Sequence, residues 1–139
     1  MKKEIADKWI AALRSGEYKQ TSGTLNDGGN FCCLGVLCDI SSIGKWIEVG
    51  LVKGYYTNDI SSTSILPEQV KSWAGIKSVD GSFPDDGEIS FYYDNTTEQF
   101  IEYDEGDFVD LITNLAALND YGKSFTEIAD IIEKNWEKL

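Results

Sequence analysis

The chain of 139 residues is long enough for one hydrophobic core, and its 42% apolar content with two prolines is typical of a folded domain. Twelve Lys and Arg face twenty-four Asp and Glu, a net charge of −12, and histidine is absent. The lack of histidine excludes Ser-His-Asp and Cys-His catalysis and the usual histidine ligands of catalytic zinc. No apolar run approaches the ~20 residues of a membrane span, and the charged start lacks a signal-peptide core. We therefore expect a cytoplasmic protein that does not bind membranes.

The chain begins with an amphipathic helix. Residues 3–14 carry one apolar stripe at helical spacing, made of Ile5, Trp9, Ile10 and Leu13. Gly16 is placed to end this helix. The polar stretch after Tyr18 is expected to be extended, and the residues at 26–29, Asn-Asp-Gly-Gly, predict a turn.

The apolar run from Phe31 to Ile40 is the strongest core candidate. It fits either a central buried helix or a core strand, and its length of ten residues favours the helix. Asn30 could cap that helix, and Gly35 would let another element approach it closely.

Short strands and a short helix are predicted next. Residues 43–58 alternate loosely in hydrophobicity between glycines, which is typical of short, bent strands. A helix opens at Leu66-Pro67 with proline in its first turn and closes at Gly75. Residues 89–93 and 98–103 are rich in β-forming side chains and predict a hairpin.

Two helices are predicted at the end of the chain. Asp107 would cap the first, whose apolar residues are Phe108, Leu111, Ile112, Leu115 and Leu118. Ser124 and Glu127 form a capping-box pattern at the start of the second. The elements together predict one α+β domain over residues 1–139, with about four to five helices packed with short antiparallel strands and hairpins.

The negative charge is concentrated in one third of the chain. From Ser78 to Gly122 there are twelve carboxylates and no basic residue, whereas the rest of the chain is balanced. Because nucleic-acid affinity depends mainly on cations that replace counterions, we expect no general nucleic-acid binding. The carboxylates at 85–88 and 104–107 could hold a cation but lack the EF-hand spacing, so a solvated acidic face or a surface for a basic host protein is favoured.

The three cysteines, Cys32, Cys33 and Cys38, form neither a plausible disulfide framework nor a zinc motif. Reduced, buried thiols are the favoured interpretation, with Cys33 or Cys38 in the core. Cys32 has one alternative, because a thiol in the first turn of a helix has a lowered pKa and can be reactive. The sequence indicates no metal site, no catalytic residue and no cofactor.

Aromatic and cationic residues of the charge-balanced first part of the chain could bind a nucleotide-like ligand. A nucleotide needs a cation for its phosphate and an aromatic face for its base. The candidate residues are Arg14, Lys19, Trp46, Tyr55 and Tyr56. In the alternative interpretation Arg14 interacts with the last carbonyls of the first helix, and the aromatic residues belong to the core or its rim, with the tyrosines packed against the sheet.

Three stretches resemble a known family. They are Ala12-Leu13-Arg14-Ser15-Gly16 with Tyr18-Lys19-Gln20, then Phe31 to Asp39, then Leu118-Asn119-Asp120 leading into Ser124 to Asp130. The helix that ends in Trp73-Ala74-Gly75 is similar as well. The pattern resembles small uncharacterised proteins of tailed phages and prophages, and it spans nearly the whole chain.

The resemblance implies an origin rather than an activity, since it carries no established catalytic residues. Small accessory phage proteins often counteract host defence, which suggests a non-catalytic binder that sequesters a nucleotide-like host immune signal in the host cytosol. An acidic inhibitor of a host protein, in the manner of a DNA mimic, is the second hypothesis. A histidine-independent enzyme is the third, and a homo-oligomer is compatible with each.

Overall fold

A computed structural model describes residues 1–84, 91–94, 99–102 and 111–139. The helices in these ranges are α1 (Lys3–Arg14), α2 (Cys33–Ser41), α3 (Glu68–Ala74), α4 (Leu115–Asp120) and α5 (Phe125–Asn135). The strands are β1 (Lys19–Gln20), β2 (Asn26–Asp27), β3 (Asn30–Phe31), β4 (Lys45–Val49), β5 (Val52–Thr57), β6 (Ile60–Ser62), β7 (Phe91–Asp94) and β8 (Gln99–Glu102). Within these ranges no helix has the length and apolar character to cross a membrane.

Six strands form one mixed sheet in the order β1-β3-β2-β5-β4, with β6 also paired to β5. The pairs are antiparallel except for β1 with β3, which run parallel. Strands β7 and β8 form a separate antiparallel pair that confirms the predicted hairpin; the turn that joins them lies outside the described residues. The predicted α+β class is confirmed.

Helix α2 is the centre of the core, as its apolar sequence predicted. All residues from Cys33 to Cys38 are buried, and the helix contacts α1, α3, α4 and β3. A Cβ at Gly35 would overlap the carbonyl oxygen of Leu25. The expected close approach at this glycine is therefore confirmed, and the neighbour is the backbone just before β2.

The terminal helices pack against each other as the amphipathic patterns predicted. Helix α1 buries Ile5, Trp9, Ile10 and Leu13, and α1 and α5 share a large contact. The Trp9 indole N–H donates to the Cys33 carbonyl at 2.9 Å, which links α1 to the start of α2. Ser124 and Glu127 form the predicted capping box at the start of α5.

The predicted cap of α2 is wrong. Asn30 belongs to β3, where it lies opposite Lys19 of β1 and Asp27 of β2. Cys32 is the N-cap residue instead, and its Sγ accepts a hydrogen bond from the Gly35 N–H at 3.4 Å. Pairing with two strands holds Asn30 in extended backbone, and the helix therefore starts two residues later than a cap at Asn30 would place it.

The predicted helix beginning at Asp107 is wrong over residues 111–114 and correct from Leu115 to Leu118. Asp107 and Phe108 lie outside the described residues; residues 111–114 are not helical, and α4 starts only at Leu115. The N–H of Ile112 donates to the Phe91 carbonyl at 2.6 Å. This pairing with β7 satisfies the Ile112 backbone outside a helix, and the Asn114 side chain then caps α4.

A buried asparagine joins three parts of the fold. Asn119, which is 2% exposed, accepts hydrogen bonds from the Gln20 side chain at 2.9 Å and from the Cys33 N–H at 3.1 Å. Its amide group donates to the Thr21 carbonyl at 2.8 Å. Because the Cys33 N–H is at the start of α2 and has no partner within the helix, Asn119 ties α4 to α2 and to the β1 region.

Candidate functional site

An open pocket of about 340 Å³ lies where two turns meet at one end of the sheet. Helix α2 ends at Ser41, and the capping residue Ser42 has a left-handed backbone (φ +53°) that turns the chain towards β4. Strand β5 ends at Thr57 and turns through Asn58 and Asp59 into β6. Because Lys45 lies opposite Tyr56 in the β4–β5 ladder, the two turns are neighbours. The pocket is lined by Ile43, Gly44, Lys45, Tyr56, Thr57 and Asn58.

Hydrogen bonds to a buried tyrosine hold the turn before β4 in place. The buried Tyr55 hydroxyl accepts a hydrogen bond from the Gly44 N–H at 2.9 Å and lies 3.1 Å from Ser41 Oγ. A Cβ at Gly44 would overlap the Tyr56 carbonyl oxygen, so the turn and β5 are in contact through backbone atoms. The pocket wall is therefore fixed by the fold.

The polar feature of the pocket is a lysine beside an aromatic ring. The Lys45 ammonium lies 5.6 Å from the centroid of the Tyr56 ring, a cation–π contact near the outer limit of the useful range. The Tyr56 hydroxyl donates to Asp59 at 2.8 Å, and this hydrogen bond raises the pKa of Tyr56. In the part of the chain that the structure describes, Lys45 forms no ion pair.

Two of the predicted ligand residues, Trp46 and Tyr55, lie together on the core face of the sheet. Their rings meet edge to face at 4.8 Å, in a row that continues through Phe31 to Tyr18. The Trp46 indole N–H and the Tyr18 hydroxyl both donate to Asp39, at 2.9 and 2.6 Å. The polar atoms of these aromatic residues are thus bonded within the protein, as the alternative core interpretation described.

Arg14 and Lys19, the two cationic residues predicted to bind a ligand, lie away from the pocket. Arg14 donates from α1 to Asp130 at 2.6 Å and to Glu133 at 2.9 Å on α5, and these hydrogen bonds raise the pKa of Arg14. Lys19 is exposed on β1, at the opposite edge of the sheet from β4. The structure therefore places Tyr56 at the pocket and brings neither Arg14 nor Lys19 to its lining.

Of the six lining residues only Tyr56 was predicted, and the cation of the pocket, Lys45, was not. The available signal was local, since this lysine directly precedes Trp46 at the start of a strand. Its partner across the ladder, Tyr56, depends on the register of β4 with β5, which the alternation of these short strands does not fix.

The cysteines are buried and unpaired. Cys33 and Cys38 are fully buried and Cys32 is 4% exposed, which confirms the core interpretation. Burial raises the pKa of Cys32 to about 11, despite the hydrogen bond from Gly35, and it raises the pKa of the other two as well. The alternative of a reactive Cys32 thiolate is therefore wrong.

We expect native protein to react slowly with a thiol reagent at pH 8 at all three cysteines. Each thiol is buried, and the reagent needs both access and a thiolate. Labelling followed by mass spectrometry should yield full modification only after unfolding in guanidinium. Rapid single labelling of native protein at Cys32 would contradict the observed burial at the start of α2.

The acidic third of the chain is only partly described. Asp80 holds the turn at Ser82 through its side chain, and Asp120 accepts from the Gly23 N–H at 2.8 Å. The carboxylates at 85–88 and 104–107 lie outside the described residues. Within those residues no three Cys, Asp or Glu side chains are placed to hold a metal ion.

Comparison with known proteins identifies the family. No curated protein and no solved structure matches the chain. Residues 1–136 match the model of a domain of unknown function, DUF8296. The match covers nearly the whole chain, with α1, the α2 core helix and the pocket residues inside it. The protein therefore belongs to the DUF8296 family.

Proposed function

We propose that this protein is a non-catalytic binder of a small nucleotide-like ligand, held in the pocket between Lys45 and Tyr56. The observation that carries the proposal is a lysine without an ion pair among the described residues, placed beside an aromatic ring in an open pocket. A cation for a phosphate and an aromatic face for a base are the two groups that a nucleotide requires.

The Lys45–Tyr56 contact is weak enough for a ligand to replace. A cation–π contact at an exposed site contributes about 0.5–1 kcal/mol, whereas stacking of a base on an aromatic side chain contributes about 1–3 kcal/mol. A ligand phosphate would draw the flexible Lys45 ammonium away from the ring, and the base would then stack where the ammonium was. Both groups gain a stronger partner in the exchange.

The chemistry of the lining supports binding rather than catalysis. The Thr57 hydroxyl donates to Gln69 at 2.8 Å, and Thr57 is buried. The Tyr56 hydroxyl is bonded to Asp59 and has a raised pKa, so it stays protonated at neutral pH. A general base needs a pKa near the working pH, and neither hydroxyl meets that condition.

The resemblance to small phage and prophage proteins supports counter-defence as the biological setting. In that setting the ligand is a host immune signal in the cytosol, and the protein acts by sequestering it. The twelve carboxylates from Ser78 to Gly122 favour a second candidate, an acidic surface that occupies a basic host protein. The two candidates use separate parts of the chain.

The test is retention of a compound from a host nucleotide extract, followed by calorimetry with the retained compound. The compound should return intact when the protein is denatured. Lys45→Ala should weaken its binding at least about tenfold through loss of a charged partner. Tyr56→Ala should weaken it roughly five- to 150-fold through loss of about 1–3 kcal/mol of stacking.

Matched controls separate the pocket from general surface effects. Lys8→Ala removes an exposed lysine of α1, and Tyr121→Ala removes an exposed tyrosine after α4. Both should leave the dissociation constant unchanged. Cleavage of the compound would overturn the non-catalytic proposal. If Arg14→Ala abolishes binding and Lys45→Ala leaves it unchanged, the ligand binds to the α1–α5 surface instead.

A further inference from the structure

Strand β4 lies at an edge of the mixed sheet. Among the described strands it pairs only with β5. Val49 lies opposite Val52 across a two-residue turn, and the pair that closes such a turn exchanges both of its hydrogen bonds. Because bonded and non-bonded positions alternate along the strand, the backbone N–H and C=O groups of Trp46 and Glu48 point away from β5. Such a row of groups can pair with another strand.

Apolar side chains accompany these backbone groups along the edge. Leu51, in the turn after β4, is 99% exposed, and Ile43, just before β4, is 41% exposed. Ile47 and Val49 are half-buried. Since alternate residues of a strand point to the same side, both share one face of β4 with the pocket residue Lys45. The edge therefore offers hydrogen-bonding groups and apolar surface together.

We propose that β4 pairs antiparallel with β4 of a second copy of this chain, about a two-fold axis at Ile47. Trp46 of each copy then lies opposite Glu48 of the other, and both pairs exchange their N–H and C=O groups. An axis at Glu48 would place two carboxylates opposite each other, which is destabilising. An axis at Trp46 would place Glu48 opposite Gly44, whose N–H already has an acceptor within the chain.

The properties of this edge match a second copy of the chain. The register brings Leu51 of each copy beside Ile43 of the other, so each exposed apolar side chain gains an apolar neighbour. Ile47 meets its own counterpart on the axis, as a two-fold interface requires. Strands β4 and β5 carry two lysines and one glutamate, so the acidic excess of the chain lies outside this edge.

The pairing also completes the pocket. Ile43 and Lys45 belong to its lining and lie at the start of the free edge. In the proposed register Val49 of the second copy lies opposite Lys45 on the same face. Leu51 of the second copy follows beside Ile43, and each pocket thus gains an apolar wall from the other copy. The dimer does not depend on the proposed function, whereas the role of this wall in ligand binding rests on it.

The first test is analytical ultracentrifugation of the protein without ligand over a concentration series. We expect a reversible monomer–dimer equilibrium in the micromolar range, because one strand pair buries a small area. Leu51→Glu should weaken the dimer at least about tenfold, since the apolar contact is lost at two symmetric places. Ile60→Glu is the matched control, because Ile60 is 72% exposed on β6, across β5 from the edge. It should leave the equilibrium unchanged.

An engineered disulfide tests the register. Under mild oxidation Ile47→Cys should form a disulfide between two copies, because residues on the axis face each other with Cα atoms about 4.5 Å apart. Val49→Cys is the control on the same face of β4. Its two copies would lie about 13 Å apart along the strands, too far for a disulfide. The three native cysteines are buried and do not compete.

The outcomes separate the two proposals. A protein that stays monomeric at all concentrations overturns this inference and leaves the proposed function, which needs one copy, intact. A dimer that Leu51→Glu does not weaken, or in which Ile47→Cys does not cross-link, uses another surface, and the inference is again wrong. A dimer with the expected properties that retains no nucleotide removes the proposed function and leaves the β4 pairing in place.

Discussion

Replacing Gly35 with alanine is expected to destabilise the protein by about 3 kcal/mol or more, a large part of the stability of a small domain. The added Cβ would overlap the Leu25 carbonyl oxygen. Both groups are buried and the obstacle is backbone, so relief requires α2 to move away from the strand region that it covers. The measurement is the free energy of unfolding from urea denaturation, followed by circular dichroism.

The direction of the stability change distinguishes a steric clash from helix propensity. Alanine is a better helix former than glycine by about 1 kcal/mol, so Gly35→Ala would stabilise the protein if no clash existed. Gly122→Ala is the control, because Gly122 needs its left-handed backbone (φ +95°) but has open space around it. We expect the control to cost about 1 kcal/mol. Equal stability of Gly35→Ala and the wild type would contradict the observed approach.

Replacing Asn119 with alanine is expected to cost about 3 kcal/mol. The change removes the acceptor of the Cys33 N–H and the donor to the Thr21 carbonyl. A buried polar group left without a partner costs about 1–3 kcal/mol. The Cys33 N–H lies at the N-terminus of α2 and would lose its acceptor. Hydrogen exchange at this amide should therefore also be faster than in the wild type.

Asn114→Ala provides the matched control for Asn119. Asn114 also accepts a backbone hydrogen bond, from the Ala117 N–H at 2.7 Å, but it is a half-buried cap of the short α4. Loss of such a cap costs about 1 kcal/mol. The free energy of unfolding in urea should fall further for Asn119→Ala than for Asn114→Ala. Equal decreases would mean that Asn119 contributes no more than a helix cap and does not join separate parts of the fold.

Much of the fold is predictable from the sequence because local and tertiary preferences agree. The apolar stripe of α1 lies on the face that packs into the core. The capping box at Ser124 sets the start of α5, whose apolar residues are buried in the same way. Gly35 stands in an otherwise bulky apolar run, which signals close packing. In these elements the periodicity of the sequence and the final contacts point to the same structure.

The errors arose where a backbone partner came from a distant part of the chain. Residues 111–118 have helical spacing, but the Ile112 backbone bonds to Phe91, twenty-one positions earlier. Asn30 is a good capping residue, yet two strands hold it in a sheet. Periodicity reports side-chain burial and does not report such pairing.

The candidate site was predicted only in part for a related reason. The five predicted ligand residues have suitable side chains and share the first part of the chain, but of these only Tyr56 lines the pocket. Tyr55 directly precedes Tyr56, and Trp46 directly follows Lys45, but both lie on the core side of the sheet. Arg14 found its partners on α5, more than a hundred positions later, which no local pattern could indicate.

The alternation of Tyr55 and Tyr56 along one strand has an evolutionary consequence. Tyr55 is 2% exposed and supports the turn from within, whereas Tyr56 faces the pocket. Substitutions at Ile43, Lys45 and Tyr56 can therefore alter the lining of the pocket while the inward tyrosine keeps the scaffold intact. Members of the family can thus diverge at these three positions without compensating changes in the core.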